Sequence, residues 1–117
     1  MNFIHVKVDA IEGDSVTVSN AALDPVRVAH KGRVFTVGQT ATLGVRPQDL
    51  SPAGEDGMLH GKVTLTERLG SETVVNLALK DGSQLIAALS EDAILEEGAE
   101  ANFRFDPAQA HIFPEAE

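Results

Sequence analysis

In Phe3-Ile4-His5-Val6-Lys7-Val8 and again in Ser15-Val16-Thr17-Val18-Ser19, apolar and polar residues alternate with a period of two. Each segment therefore presents one apolar and one polar face, the pattern of a half-buried strand. Glu12-Gly13-Asp14 between them reads as a hairpin turn. The same pattern predicts strands over 26–29, 34–37, 41–46, 61–67, 73–79, 84–89 and 101–105. Turns are supplied by Lys31-Gly32, Val37-Gly38-Gln39, Lys80-Asp81-Gly82-Ser83 and Glu97-Gly98-Ala99, with Asp81-Gly82 the strongest hairpin signal. Pro47-Gln48-Asp49-Leu50 and Pro107-Ala108-Gln109-Ala110 have room for one helical turn each. Many short strands without an amphipathic helix imply an all-β barrel or sandwich.

Ser51-Pro52-Ala53-Gly54-Glu55-Asp56-Gly57, rich in Pro, Gly and acid, is the one candidate connector, and it divides the chain near its middle. An internal repeat spans it. Gly38-x-x-Ala41-x-Leu43-x-Val45-Arg46-Pro47 matches Gly98-x-x-Ala101-x-Phe103-x-Phe105-Asp106-Pro107 at an offset of sixty, and His5-x-Lys7-Val8 matches His60-x-Lys62-Val63 at fifty-five. The shared content is a glycine turn, an alternating strand, and a proline that ends the ladder because it has no N–H to donate. Two such units, roughly 1–50 and 58–113, are each short of core, so the expectation is a single domain in which they pack together.

Composition narrows the function classes. The chain of 117 residues is 43% hydrophobic and 23% charged, as expected of one globular domain, and no apolar run approaches the ~18 residues of a spanning helix. There is no cysteine, and the first residues lack the charged-then-apolar pattern of a signal region, so a cytoplasmic location is expected. The net charge is −9 and uneven: residues 1–57 hold seven acids and five bases, residues 58–117 eleven acids and four bases. Such a surface repels phosphate backbones, and five Phe without Trp or Tyr leave little for bases to stack on. Nucleic acid is thus disfavoured as a ligand. The acidity serves solubility, or offers a face to a basic partner.

Catalytic patterns are missing. Gly32-Arg33-Val34-Phe35-Thr36-Val37-Gly38-Gln39-Thr40 mimics a phosphate loop, but five residues separate its glycines and Gln39 stands where the lysine must be. His5, His30, His60 and His111 are dispersed, with no second ligand type at metal-binding spacing, and His5 and His60 are expected on solvent-facing strand positions. Leu69-Gly70-Ser71-Glu72 has a glycine on one side only of its serine. The acid pairs Glu91-Asp92 and Glu96-Glu97 read as solvated charges.

Two features are left over. Gly44-Val45-Arg46-Pro47-Gln48-Asp49-Leu50 puts an arginine at a strand end before a proline-initiated turn, where Arg46 either anchors a carboxylate or belongs to a functional contact. Glu67-Arg68-Leu69-Gly70-Ser71-Glu72-Thr73 crowds charges about a glycine between two strands. It is either a plain hairpin with a left-handed glycine or a loop that displays Glu67, Arg68 and Glu72.

These segments carry a family resemblance. Met1-Asn2-Phe3 before an alternating strand, Leu43 to Leu50, Glu67 to Thr73, Leu95-Glu96-Glu97-Gly98 and Phe105-Asp106-Pro107-Ala108-Gln109-Ala110-His111-Ile112-Phe113 resemble, in that order, a known domain. It is the C-terminal regulatory domain of ATP-binding subunits of bacterial carbohydrate ABC importers of the maltose and glycerol-3-phosphate type. The resemblance implies an OB-fold-like (TOBE, or molybdate-binding-protein-like) β-barrel made of two small intertwined β units. It implies a role in regulation and dimerisation, with catalysis, ATP and Mg belonging to an N-terminal nucleotide-binding domain that this chain lacks, and no cofactor here. The partners implied are that nucleotide-binding domain, a second copy of the subunit, membrane permease subunits and a cytoplasmic regulator of uptake. By matching position, contacts fall to Glu67, Arg68, Glu72, Thr73, His111 and Phe113, with Arg46 and Asp49 positioning the strand-end turn. Gln48, Asp49 and Pro114 depart from the residues common in relatives, which weakens the case for any particular regulator. The alternative is a free-standing barrel that binds a small oxyanion of the molybdate type, for which Ser71, Thr73 and Lys62 are the suggestive set.

Overall fold

Alternation becomes pairing in the computed structural model, which describes residues 1–80, 82–90 and 95–115. Among the described residues, ten strands form two antiparallel sheets. The first has the order β10-β4-β1-β2-β3, from β1 (Asn2–Glu12), β2 (Ser15–Ser19), β3 (Val26–Ala29), β4 (Thr40–Val45) and β10 (His111–Pro114). The second has the order β5-β9-β6-β7-β8, from β5 (Ser51–Pro52), β6 (Leu59–Arg68), β7 (Glu72–Leu79), β8 (Gln84–Ser90) and β9 (Glu100–Arg104). Helical structure among the described residues is limited to single 3-10 turns at Pro47–Asp49, Gly54–Asp56 and Pro107–Gln109. The all-β, OB-like barrel of two intertwined units is thus the fold.

The repeat is legible in individual hydrogen bonds. Val8 donates to the Gln39 carbonyl (2.9 Å) and accepts from the Gly38 N–H (2.8 Å); Val63 donates to Ala99 (2.9 Å) and accepts from Gly98 (2.7 Å). Just past each valine the ladder with the next strand slips by one residue, at Asp9 and at Thr64, a bulge in the same place in both halves. Leu50 donates to Pro47 as Ala110 donates to Pro107, sixty residues on.

The units are intertwined through their ends. After β4 the chain turns at Pro47–Asp49, and its next strand, β5, pairs with β9 of the other sheet. After β9 it turns at Pro107–Gln109, and β10 pairs with β4. Each proline ends its own ladder and the 3-10 turn sends the chain across. The inward faces of both sheets, with Leu50 and Ile112 from the exchanged ends, form one continuous core in which Ile4, Val8, Leu43, Leu77, Leu85 and Phe103 are fully buried. Each large apolar side chain buried in this shared core contributes ~1.5–3 kcal/mol.

Two expectations need correction. Residues 34–37 are not a strand: Val34 is 84% exposed, Val37 is 59% exposed, and only Phe35 points inward. The alternation there has no strand beside it. Lys31 (φ +51°) and Gly32 turn the chain at one end and Gly38 at the other, and the stretch is tied to itself by Thr36 N–H to Gln39 Oε1 (2.8 Å). Residues 51–57, read as a connector, contain β5 and the 3-10 turn Gly54–Asp56. Of the other sequence features, Asp81 in the 80–83 turn and the pair Glu91-Asp92 lie outside the described residues.

Candidate functional site

The residues singled out from the sequence fall in three places. At the first exchange point, Arg46 follows β4 and its carbonyl accepts from the Asp49 N–H (3.0 Å) across the proline-led turn. Arg46 is exposed, and among the described residues it forms no ion pair, so the anchoring of a carboxylate is not seen. Asp49 is half-buried and lines an open depression of about 420 Å³ with Ser51, Arg104, Phe105 and Asp106, where β5 meets β9.

The second place is the tip of the β6–β7 hairpin. Leu69 donates to the Glu72 carbonyl (2.9 Å), and Gly70 has φ +87°, the left-handed conformation expected of it. Glu67, Arg68 and Glu72 are exposed; Thr73 is fully buried. Position 73 begins the inward set 73, 75, 77 and 79 of β7, so its side chain points into the core. This hairpin is longer than its counterpart. Ten residues separate Val8 from its cross-strand partner Val18, and fourteen separate Val63 from Leu77. Lys62 pairs with Ala78 at one end of the ladder while Thr73 pairs with Arg68 at the other, ~20 Å away at a rise of about 3.3 Å per residue. Lys62, Ser71 and Thr73 therefore do not converge on one oxyanion.

The third place is the outer face of the first sheet. His111 and Phe113 of β10 stack at 6.4 Å between ring centroids, and the Arg33 guanidinium sits 4.9 Å from the Phe113 centroid. Across the sheet His111, Gly44 and Phe3 share a row, as do Phe113, Thr42 and His5. Gly44 has no side chain to separate its neighbours, and a Cβ there would lie 2.7 Å from Met1 Sδ and 3.4 Å from the Phe113 ring. Met1 is 51% and Phe3 55% exposed, so a sulfur and aromatic patch faces outward. Sequence reasoning missed Met1, Phe3 and Arg33, although the odd-numbered phase of β1 already put Phe3 outside. Beside the patch, the His5 Nδ1–H donates to Glu115 Oε1 (2.6 Å) and the Thr42 hydroxyl adds a second bond (3.0 Å). The His5 hydrogen bond leads in holding the Glu115 carboxyl below its ordinary pKa.

His5 is exposed, as expected, but His60 is only half-exposed and held on both sides. Its Nδ1 lies 2.7 Å from Asn102 Oδ1 and its Nε2 lies 3.0 Å from Asp24 Oδ2. Asn102, then Asp24, raise its pKa above the ordinary value, against a smaller effect of burial. Among the described residues no group of three or more His, Cys, Asp or Glu side chains is placed to hold a metal ion, and no helix is long and apolar enough to cross a membrane.

Residues 43–113, from β4 through β10 and so including both exchanged strands, match the family model of the TOBE domain. The chain belongs to the TOBE domain family. This TOBE domain is 32% identical over 120 residues to the maltose/maltodextrin import ATP-binding protein MalK of Mannheimia succiniciproducens, covering 98% of the chain and 32% of the relative. It is 32% identical over 117 residues to MalK of Yersinia pestis and of Salmonella typhimurium, with the same coverage. The chain spans about a third of the length of the curated relatives it matches. The resemblance to ATP-binding subunits of carbohydrate importers read from the sequence is therefore shown. Among solved structures, the cytoplasmic molybdate-binding protein ModG, with molybdate bound, superposes with a TM-score of 0.81 over 97% of this chain and 96% of its own, at 16% identity. A likeness at that identity carries the fold.

Proposed function

We propose that this TOBE domain is the regulatory and dimerisation module of the ATP-binding subunit of a bacterial ABC importer of sugars or glycerol-3-phosphate-like solutes, without catalysis of its own. The observation that carries this reading is the match of 98% of the chain to maltose/maltodextrin import ATP-binding proteins at 32% identity. In this reading the module sits on the cytoplasmic side of the membrane. It is joined to a nucleotide-binding domain that holds ATP and Mg, and it faces a second copy of itself, the permease subunits and a cytoplasmic regulator. The outward patch of exposed Met1 and Phe3 beside half-buried Phe113 supports self-contact, because apolar surface on one face gains from being covered. Contact between two such modules raises the effective concentration of their nucleotide-binding domains for each other. A regulator that prefers the open arrangement then inhibits by differential binding.

Sedimentation of the intact subunit, with and without residues 1–117 and with Phe113→Asp, tests the proposal. The expected result is weaker dimerisation in both altered forms; equal dimerisation in all three would refute it. The second reading, a free-standing small-oxyanion binder, is favoured by the fold likeness to a molybdate-bound protein. Calorimetric titration of the chain with molybdate separates the two.

A further inference from the structure

His60 stands where the two units cross. Its backbone N–H donates to the Ala22 carbonyl (2.8 Å), Asp24 donates to Met58 (2.8 Å), and Leu23 and Leu59 form an isolated bridge between them. The segment 22–24 of the first unit is thereby laid along the start of β6 in the second. From there the chain runs into β3, which packs against the turn Pro107–Gln109.

We infer that His60 is an imidazolium brace, and that its proton sets how tightly segment 22–24 is held to the second sheet. A neutral imidazole offers one N–H and one lone pair. Here both ring nitrogens face oxygen, at 2.7 and 3.0 Å. The Asp24 carboxylate can only accept. The Asn102 amide cannot turn its NH2 toward the ring without breaking the bond from its Nδ2 to the Gly54 carbonyl (2.9 Å). Only the doubly protonated ring satisfies both partners; loss of the proton sets a lone pair against one of the two oxygens.

The surrounding charges act in both directions. Asp24 favours the cation and Lys80, just past β7, opposes it, while Lys62 of β6 and Glu100 of β9 line the same hollow of about 340 Å³ beside His60. The two hydrogen bonds outweigh the opposing charge and the burial, so the pKa is raised above its ordinary value. His5, fifty-five residues earlier in the repeat, shows the contrast: among the described residues one of its ring nitrogens has a partner, the Glu115 carboxylate. The brace is therefore a property of one half of a duplicated fold. Because the folded pKa is raised, its stabilisation is fully present below the ordinary value of 6.5 and is lost as pH rises through the folded value.

An NMR titration of the chain, following the imidazole signals of the four histidines, tests this. His60 is expected to titrate above 6.5, and Asp24→Asn, a change at an exposed carboxylate, is expected to bring it down. The melting-temperature advantage of the parent over His60→Gln should shrink as pH rises from 6 to 9. A His60 that titrates at or below 6.5, or one unmoved by Asp24→Asn, would overturn the inference. Should His60→Gln fail to fold, the Asp24→Asn titration alone decides.

Discussion

Substitutions of polar side chains outside the core ordinarily fall within about 0.5 kcal/mol of neutral. Asn2 is expected to behave otherwise. It is 8% exposed, and its amide makes two bonds to one residue eighty-four positions away: Nδ2 donates to the Ile86 carbonyl (2.7 Å) and Oδ1 accepts from the Ile86 N–H (2.9 Å). Ile86 lies in β8, the edge of the second sheet, so the side-chain amide takes the place of a missing neighbouring strand. Asn2→Ala strands one donor and one acceptor of the main chain. At ~1–3 kcal/mol for each unsatisfied group, with relief from water at a sheet edge, the loss is about 2–4 kcal/mol. With a urea m-value near ~2 kcal/mol/M, the unfolding midpoint falls by about 1–2 M. Asn2→Asp keeps the acceptor but sets a carboxylate against the Ile86 carbonyl. Its loss should be larger near neutral pH and should shrink in acid, where a protonated carboxyl can donate. A midpoint for Asn2→Ala within ~0.3 M of the parent, or pH-independent unfolding of Asn2→Asp relative to the parent, would refute the strand-mimic reading.

Phe103 is fully buried between β5 and β6, opposite Pro52 and Leu59, so Phe103→Ala should lose about 3–5 kcal/mol in urea unfolding; a loss under about 2 kcal/mol would mean that the exchanged strand contributes little to the packing. Glu115 has a depressed folded pKa, so its contribution is present above the unfolded value of 4.5 and is lost as pH falls through the folded one. Melting temperatures of the parent and Glu115→Gln should therefore converge in acid, and a gap that persists unchanged to pH 2.5 would count against the His5 and Thr42 contacts.

The strands that pair within their own unit were legible because alternation and turns are local signals: β2, β3, β4 and β7 lie within one residue of their expected bounds, while β1 runs four residues past the expected Phe3–Val8. β5 and β10 were not, since their partners are β9 and β4 across the exchange, and neither segment is long enough to show a period. Residues 34–37 err in the opposite sense, alternation without a neighbour. The two repeat offsets, fifty-five and sixty, puzzling in the sequence, have a structural origin. Four of the five extra residues lie in the longer β6–β7 hairpin, between Val63 and Leu77, and that hairpin ends in Glu67, Arg68 and Glu72.

The side chains that give the surface its chemistry were harder to read, because what distinguishes them comes from far away in the chain. His5 and His60 carry the same motif, His-x-Lys-Val, and face outward from equivalent strands. One meets a single carboxylate near the chain end. The other meets an amide forty-two residues later, whose orientation is locked by Gly54, and a carboxylate thirty-six residues earlier, brought in by the crossing of the units. Two halves that carry like histidines thus differ by one proton-dependent contact, and it lies where the two halves cross. Burial of an apolar side chain between the units is insensitive to pH. A charged brace at their crossing gives the same interface a component that responds to protons.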